Sequence, residues 1–219
     1  MKRLNHFFCI ALLCTVAACN DASTTSEATK TDTAASTSTA AVPDETPTLK
    51  DTGALHQAMY TLGAPGDVHK MIAKDNGVWT AEMTYWETPD APPMKITGTA
   101  TNKMLWDRYQ QSSFKCEMAP GMTFEGLSTL AYDNVKKRYV NTWIDNMMTG
   151  LMVMEGTYDE ANKTINLSGK GTDFRNGKDI QMRQTFKTVD ENTQLLEMYS
   201  TFAGGKEYKN MEITYKRKK

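Results

Sequence analysis

From Val78 to Arg217, apolar and polar side chains alternate with a period of two, the signature of strands with one buried face. Phe114, Cys116 and Met118 oppose Lys115 and Glu117; Ile180, Met182 and Phe186 oppose Gln181, Arg183 and Lys187; Met211, Ile213 and Tyr215 oppose Asn210, Glu212 and Thr214. The pattern predicts strands at Val78–Glu87, Met94–Asp107, Tyr109–Ala119, Thr123–Tyr132, Arg138–Asp145, Leu151–Tyr158, Thr164–Gly171, Asp179–Lys187, Gln194–Thr201 and Glu207–Arg217. The connections carry turn residues, among them Pro120-Gly121, Asp133-Asn134, Asn176-Gly177 and Gly204-Gly205. None is long enough for a crossover helix, so successive strands should pair antiparallel. A meander of that length leaves two unprotected edges unless it closes. The expected fold is therefore all-β, an antiparallel up-and-down β-barrel of about ten strands.

Before the strands the period is helical. Leu55, Met59 and Leu62 fall on one helical face, Ala64-Pro65-Gly66 breaks it, and Asp67 reads as the N-cap of a second helix bearing Val68, Met71 and Ile72. Asn76-Gly77 supplies its stop. One or two short helices should thus precede the barrel.

The N-terminal part reads as address and tether. Met1-Lys2-Arg3 precedes an apolar run from Phe7 to Ala18, too short to span a bilayer and suited to a signal sequence. Val16-Ala17-Ala18-Cys19 resembles the bacterial lipobox, which implies acylation of Cys19 and anchoring in a lipid bilayer. Asn20, where an aspartate would retain the protein at the inner membrane, favours the outer membrane, with the domain facing the periplasm or the cell surface. Thirteen of the 29 residues from 20 to 48 are Ser or Thr and none is aromatic, a composition that cannot bury enough surface to order itself. Such a chain has an r.m.s. reach of about 30 Å. The expected division is signal peptide 1–18, lipidated Cys19 with its tether 19–48, helical entry 49–76 and barrel 77–219.

Charge narrows the partners. The 25 Lys and Arg, less Lys2 and Arg3 of the leader, against 26 Asp and Glu leave a mature chain near −3. The terminal Lys216-Arg217-Lys218-Lys219 reads as a solvated tail, and no nucleic-acid partner is expected. Cys116 alone lies in the folded part, so no internal disulfide is available and a buried, inert thiol is expected. His56 and His69 are the histidines left in the mature chain and read as exposed helix positions. No HExxH, phosphate-binding glycine loop or zinc-type cysteine spacing occurs, so neither a cofactor nor a metal site is expected, and no catalytic residues are assigned.

Two sets of residues invite chemistry. Tyr139, Asn141, Trp143 and Asp145 share one strand face against Val140, Thr142 and Ile144. Turned inward they would line a cavity; turned outward they would form a surface patch; the inward reading is preferred. Met152 and Met154 on the next strand would extend a flexible apolar lining. Their neighbours Met147 and Met148 raise a copper reading, diluted by the 15 methionines of the chain. Asp145, Glu197 and Glu212 are carboxylates that an inward orientation could bring together for acid–base work.

Gly77-Val78-Trp79 after a short helix, a run of hairpins and Arg217 on the last strand resemble the pattern of lipocalins and their calycin relatives. The resemblance implies that Trp79 closes one barrel end with Arg217 packed across its indole. Haem-binding calycin relatives use a histidine within the barrel, and none occurs from Gly77 to Lys219. Pro65-Gly66-x-x-His69-Lys70, Gly77-x-Trp79, Phe124-x-Gly126, Tyr132-Asp133, Trp143-Ile144-Asp145, Gly156 and Tyr215-x-Arg217 are more specifically similar to a bacterial family of unknown function, DUF1579, whose members resemble lipocalin-like barrels. The expected function is binding of a small, largely apolar ligand in a central cavity of several hundred Å³. The alternative is a filled barrel that docks a protein partner through its outer face.

Overall fold

The computed structural model describes residues 52–219. The signal sequence, Cys19 and the Ser/Thr tether lie outside the described residues. Two helices, α1 (Thr52–Gly63) and α2 (Asp67–Ala73), lead into ten strands. These are β1 (Gly77–Tyr85), β2 (Met94–Leu105), β3 (Tyr109–Ala119), β4 (Met122–Asp133), β5 (Arg138–Asp145), β6 (Met152–Asp159), β7 (Thr164–Asp173), β8 (Lys178–Asp190), β9 (Thr193–Thr201) and β10 (Tyr208–Arg217). Each strand pairs antiparallel with its neighbours in sequence, and β1 also pairs with β10, so the sheet closes into a barrel without free edges. The register runs from Trp79 opposite Arg217 to Tyr85 opposite Met211.

Register fixes what faces the axis. Trp79, Ala100, Phe114 and Gly126 follow one another across β1 to β4, and Tyr139, Gly156 and Leu167 do so across β5 to β7. The inward set forms two buried clusters. One is built on Trp79, Ala81, Phe114, Cys116 and Ile213, the other on Tyr139, Met154, Ile165 and Leu167 beneath Ile72 of α2. The outward set is charged, with cross-strand pairs such as Lys115–Glu125 at 2.7 Å and Lys216–Glu82 at 3.1 Å. A charged outside over an apolar inside is the reverse of a transmembrane barrel, whose outer band must be apolar.

The helices differ from expectation. Gly66, not Asp67, occupies the N-cap of α2. His69 closes that turn, its Nδ1 accepting from the Gly66 N–H at 3.0 Å. His69 is accordingly buried, 5% exposed, rather than solvated. The face of α1 bearing Leu55, Met59 and Leu62 packs against nothing described: all three side chains are exposed. The C-terminal end of α1 is held by side chains instead, with Asn134 Nδ2 donating to the Leu62 and Ala64 carbonyls and Arg108 Nε to that of Gly63.

The strand expected to run to Asp107 stops at Leu105, because Trp106 and Asp107 take φ of 51° and 56° to reverse the chain. Left-handed backbone suits Asn-Gly and penalises a bulky residue. Replacing the pair by Trp106→Asn with Asp107→Gly should raise stability by about 1 kcal/mol. Urea unfolding would register this as a higher midpoint; an unchanged midpoint would mean that the edge contact of Trp106 with Tyr109, at 6.3 Å, offsets the backbone strain.

Candidate functional site

One end of the barrel is closed by α2, and closing it is a fastening problem. A helix leaves its last carbonyls without partners. Here the backbone N–H groups of Lys74, Asp75 and Asn76 take the carbonyls of Met71, Ile72 and Ala73, and barrel side chains supply further donors along the exit of α2. Gln110 Nε2 donates to the Ile72 carbonyl at 2.8 Å, and Trp79 Nε1 and Asn102 Nδ2 both donate to that of Asp75. Arg217 divides its guanidinium among the carbonyls of Lys74 (2.7 Å), Asn76 (2.6 Å) and Glu191 (3.0 Å). The same guanidinium lies 4.1 Å from the centre of the Trp79 ring, and Trp79 is 1% exposed. Gly77 makes this possible: its φ is +125°, and a Cβ there would lie 3.1 Å from Arg217 Nη1.

Beneath α2 the inner wall is polar. Tyr132, Tyr139 and Tyr158 adjoin one another, with ring centroids 5.0 Å apart for the first pair and 6.4 Å for the second. Burial, with the neighbouring Tyr132 and Tyr158 hydroxyls, pushes the Tyr139 hydroxyl up to about 12. His69 meets Tyr132 edge-on at 6.1 Å. Asp75 completes the floor. Burial pushes its carboxyl up to about 6, against the opposing pull of Arg217, of Gln194 as hydrogen-bond partner and of Lys74. Gln194 points inward beside it, 1% exposed, with its Nε2 lacking a hydrogen bond of good geometry.

Tyr139, Asn141, Trp143, Asp145, Met152 and Met154 all occupy the inward face. The structure does not bring them into one site. Tyr139 and Met154 belong to the closed end, at 3% and 0% exposure. Asn141 Oδ1 accepts from Ser128 Oγ at 2.6 Å. Trp143 lies flat on the wall over Gly126, where a Cβ would come within 2.2 Å of the indole, and stacks beside Phe124. At the rim opposite α2, Asp145 has both oxygens occupied, one by Trp143 Nε1 and one by the Met147 and Met148 N–H groups. Its local role is to order the β5–β6 hairpin.

Other candidates separate. Glu197 and Glu212 come together, but on the outer wall, where Lys209 Nζ bridges them; they do not share the lumen with Asp145. Met147 and Met148 are exposed on a loop while Met152 and Met154 face the axis, so the four do not converge. Among the described residues no three His, Cys, Asp or Glu side chains gather as a metal would require. Cys116 is buried, and burial pushes its thiol up. Concavities of about 260 Å³ and 280 Å³ sit on the outer wall, the first along Asn166, Thr185 and Glu197 and the second beside Leu127 and Ile144.

Asp75, Gln194 and Tyr158 escaped sequence reasoning. Gln110 and Gln194 carried the one available signal, polar residues at positions of apolar parity within their strands.

A family model described as "Protein of unknown function (DUF1579)" matches residues 64–217. The chain belongs to the DUF1579 family. The match takes in α2, every strand, and both Trp79 and Arg217, so the DUF1579 unit is the plugged barrel itself. No curated protein matches the chain. Among solved structures, the crystal structure of Rv2717c from M. tuberculosis is similar, with a TM-score of 0.52 and 10% identity over 71% of this chain and 100% of that one. At that identity the likeness concerns the fold alone.

Two predictions test the closed end of this DUF1579 barrel. Arg217→Ala strips three carbonyls of their donor and should cost about 2–4 kcal/mol in urea unfolding, with Arg217→Lys recovering little because an ammonium cannot fork. Asp75 has its folded pKa raised from the ordinary 3.8 to about 6, so between those values the native state holds the extra proton. Stability should therefore fall as pH rises through that window and level off above it. Asp75→Asn removes this contribution, and the difference between wild type and variant should change by about 2 kcal/mol from pH 4 to pH 7. Parallel unfolding curves across this range would refute the assignment.

Proposed function

We propose that the chain is a membrane-anchored lipoprotein whose barrel holds a small, largely apolar molecule in the cell envelope. The anchor is the acylated Cys19, and the Asn20 signal favours the outer membrane with the domain facing the periplasm or cell surface. One observation carries the binding half of this reading. Inward side chains at mid-barrel, among them Ser112, Leu130, Met182, Phe186, Leu196 and Tyr215, are only half-buried although the wall is closed around them. Burial by surrounding atoms nevertheless pushes the Tyr215 hydroxyl far up. Side chains that are enclosed yet still accessible border internal space. Apolar side chains make up most of that lining, interspersed with Ser112, Ser128, Asn141 and Gln184, and α2 plugs the floor, which suits a largely apolar guest.

A second reading has its own observation. Around the β5–β6 hairpin, Ile144, Met147, Leu151 and Val153 are 47%, 51%, 63% and 40% exposed, beside the outer concavity at Leu127. An apolar patch of this kind fits a protein-docking module. Trp143, turned inward, takes no part in it.

Native mass spectrometry on residues 19–219 carrying Cys19→Ser, with analysis of the organic extract, separates the two. A recurrent extra mass resolving to one apolar compound class is expected. Clean apo mass with no uptake of a neutral hydrophobic dye would transfer the assignment to the docking module, to be pursued by crosslinking in the intact envelope. For the anchor, the wild-type chain should incorporate labelled palmitate and sediment with membranes, and Cys19→Ser should do neither.

A further inference from the structure

The floor beneath α2 contains more hydrogen-bonding capacity than the protein uses. The hydroxyls of Tyr132, Tyr139 and Tyr158 make no hydrogen bond to any described residue, although Tyr139 is 3% exposed. Gln194, at 1%, has an Nε2 that makes no hydrogen bond of good geometry, Asp75 being its one partner among the described residues. An unmet buried donor is costly, and whatever occupies the lumen above it recovers that cost only by accepting a hydrogen bond. The one acid at this floor is Asp75, whose field reaches the Tyr158 hydroxyl.

We propose that this floor is a polar subsite for the neutral, hydrogen-bond-accepting head of an otherwise apolar ligand, a ketone, ester or quinone carbonyl. Tyr158, Tyr139, Tyr132 and Gln194 are its donors, and Asp75 selects against carboxylates. The inference rests on the apolar-ligand reading above and deepens it.

Charge and donor count choose among head groups. A carboxylate could accept from the phenols and the amide, but it meets the Asp75 carboxyl. The nearest guanidinium, Arg217, is committed to three carbonyls and the Trp79 face, and Lys74 is exposed. Asp159 and Glu160, beside Tyr158, add further negative charge. An ammonium would be attracted to Asp75 but has only donors, so it leaves the Gln194 amide unmet. A hydroxyl-free alkane satisfies nothing. A neutral carbonyl accepts from two donors at once and brings no charge into a site whose burial already disfavours one.

The test uses residues 19–219 with Cys19→Ser and displacement of Nile red at neutral pH by four compounds of one chain length: methyl dodecanoate, dodecanoate, dodecylamine and dodecane. The ester should bind about ten-fold more tightly than the alkane or the carboxylate. Tyr158→Phe and Gln194→Leu, with unchanged circular dichroism, should each reduce that advantage several-fold while leaving dodecane unaffected. Asp75→Asn should bring dodecanoate up to the ester. If dodecylamine binds tightest, the head-group assignment is wrong. If all four bind alike and Tyr158→Phe changes nothing, the head does not reach the floor, and the subsite fails while the apolar-ligand reading stands. If neither dye nor any compound binds, both readings fail together.

Discussion

The structure depends on how the exit of α2 is satisfied. A seven-residue helix has little stability of its own and ends in several carbonyls that lack intrahelical partners. In water these would be solvated; over the end of a barrel they must find donors. Trp79, Asn102, Gln110 and Arg217 come from β1, β2, β3 and β10, so the helix is tied to both sides of the seam where the first and last strands meet. Closure of the sheet and seating of the plug are therefore one event. Arg217 can reach the carbonyls only when β10 lies beside β1, and Trp79 is covered only when Arg217 is in place.

A second constraint comes from circumference. Ten strands enclose more space than an eight-stranded barrel, whose interior side chains just fill. The inner wall does not compensate with large residues pointing across the lumen. It carries glycines at 98, 126 and 171, over which Phe114, Trp143 and Met182 lie along the wall: a Cβ at these positions would come within 2.7, 2.2 and 2.4 Å of them. Bulk is thus spent against the sheet rather than at the axis. The consequence is the half-buried lining at mid-barrel, and it ties the sequence's glycine and aromatic positions directly to the space available for a guest.

Much of this was legible in the sequence, for a physical reason. Period-two alternation and turn residues report one-sided burial locally, so the strands and their antiparallel order could be read without knowing any distant contact. The hairpin at Trp106 was misplaced by two residues because its turn lacks the glycine that usually marks a left-handed pair. Facing was harder. The alternation in β10 already set Glu212 opposite Met211, Ile213 and Tyr215, whereas Glu197 sits among Leu195, Leu196, Met198 and Tyr199, where only the register with β10 shows that it lies outside. The helical period of Leu55, Met59 and Leu62 announced an apolar face correctly but could not say whether anything covers it. Asp75 was invisible because it lies in the linker between α2 and β1, where neither period applies.

The same reasoning explains the polarity of the lumen. Residues near the floor are packed under α2 and could have been apolar at no cost to the fold, since tyrosine-to-phenylalanine exchange preserves the ring contacts that hold Tyr132, Tyr139 and Tyr158 together. Their hydroxyls contribute nothing to the hydrogen-bond network that fastens the plug, which runs through Gln110, Trp79, Asn102 and Arg217 instead. Asp75 goes further, since a carboxyl raised to about 6 by burial opposes folding at neutral pH. The Tyr132, Tyr139 and Tyr158 hydroxyls are idle in that network, and beside them the Gln194 amide nitrogen is buried without a hydrogen bond of good geometry. On the ligand reading proposed above, an interior that ends in a polar floor would orient an amphiphile head-down, with its apolar body along the glycine and aromatic wall.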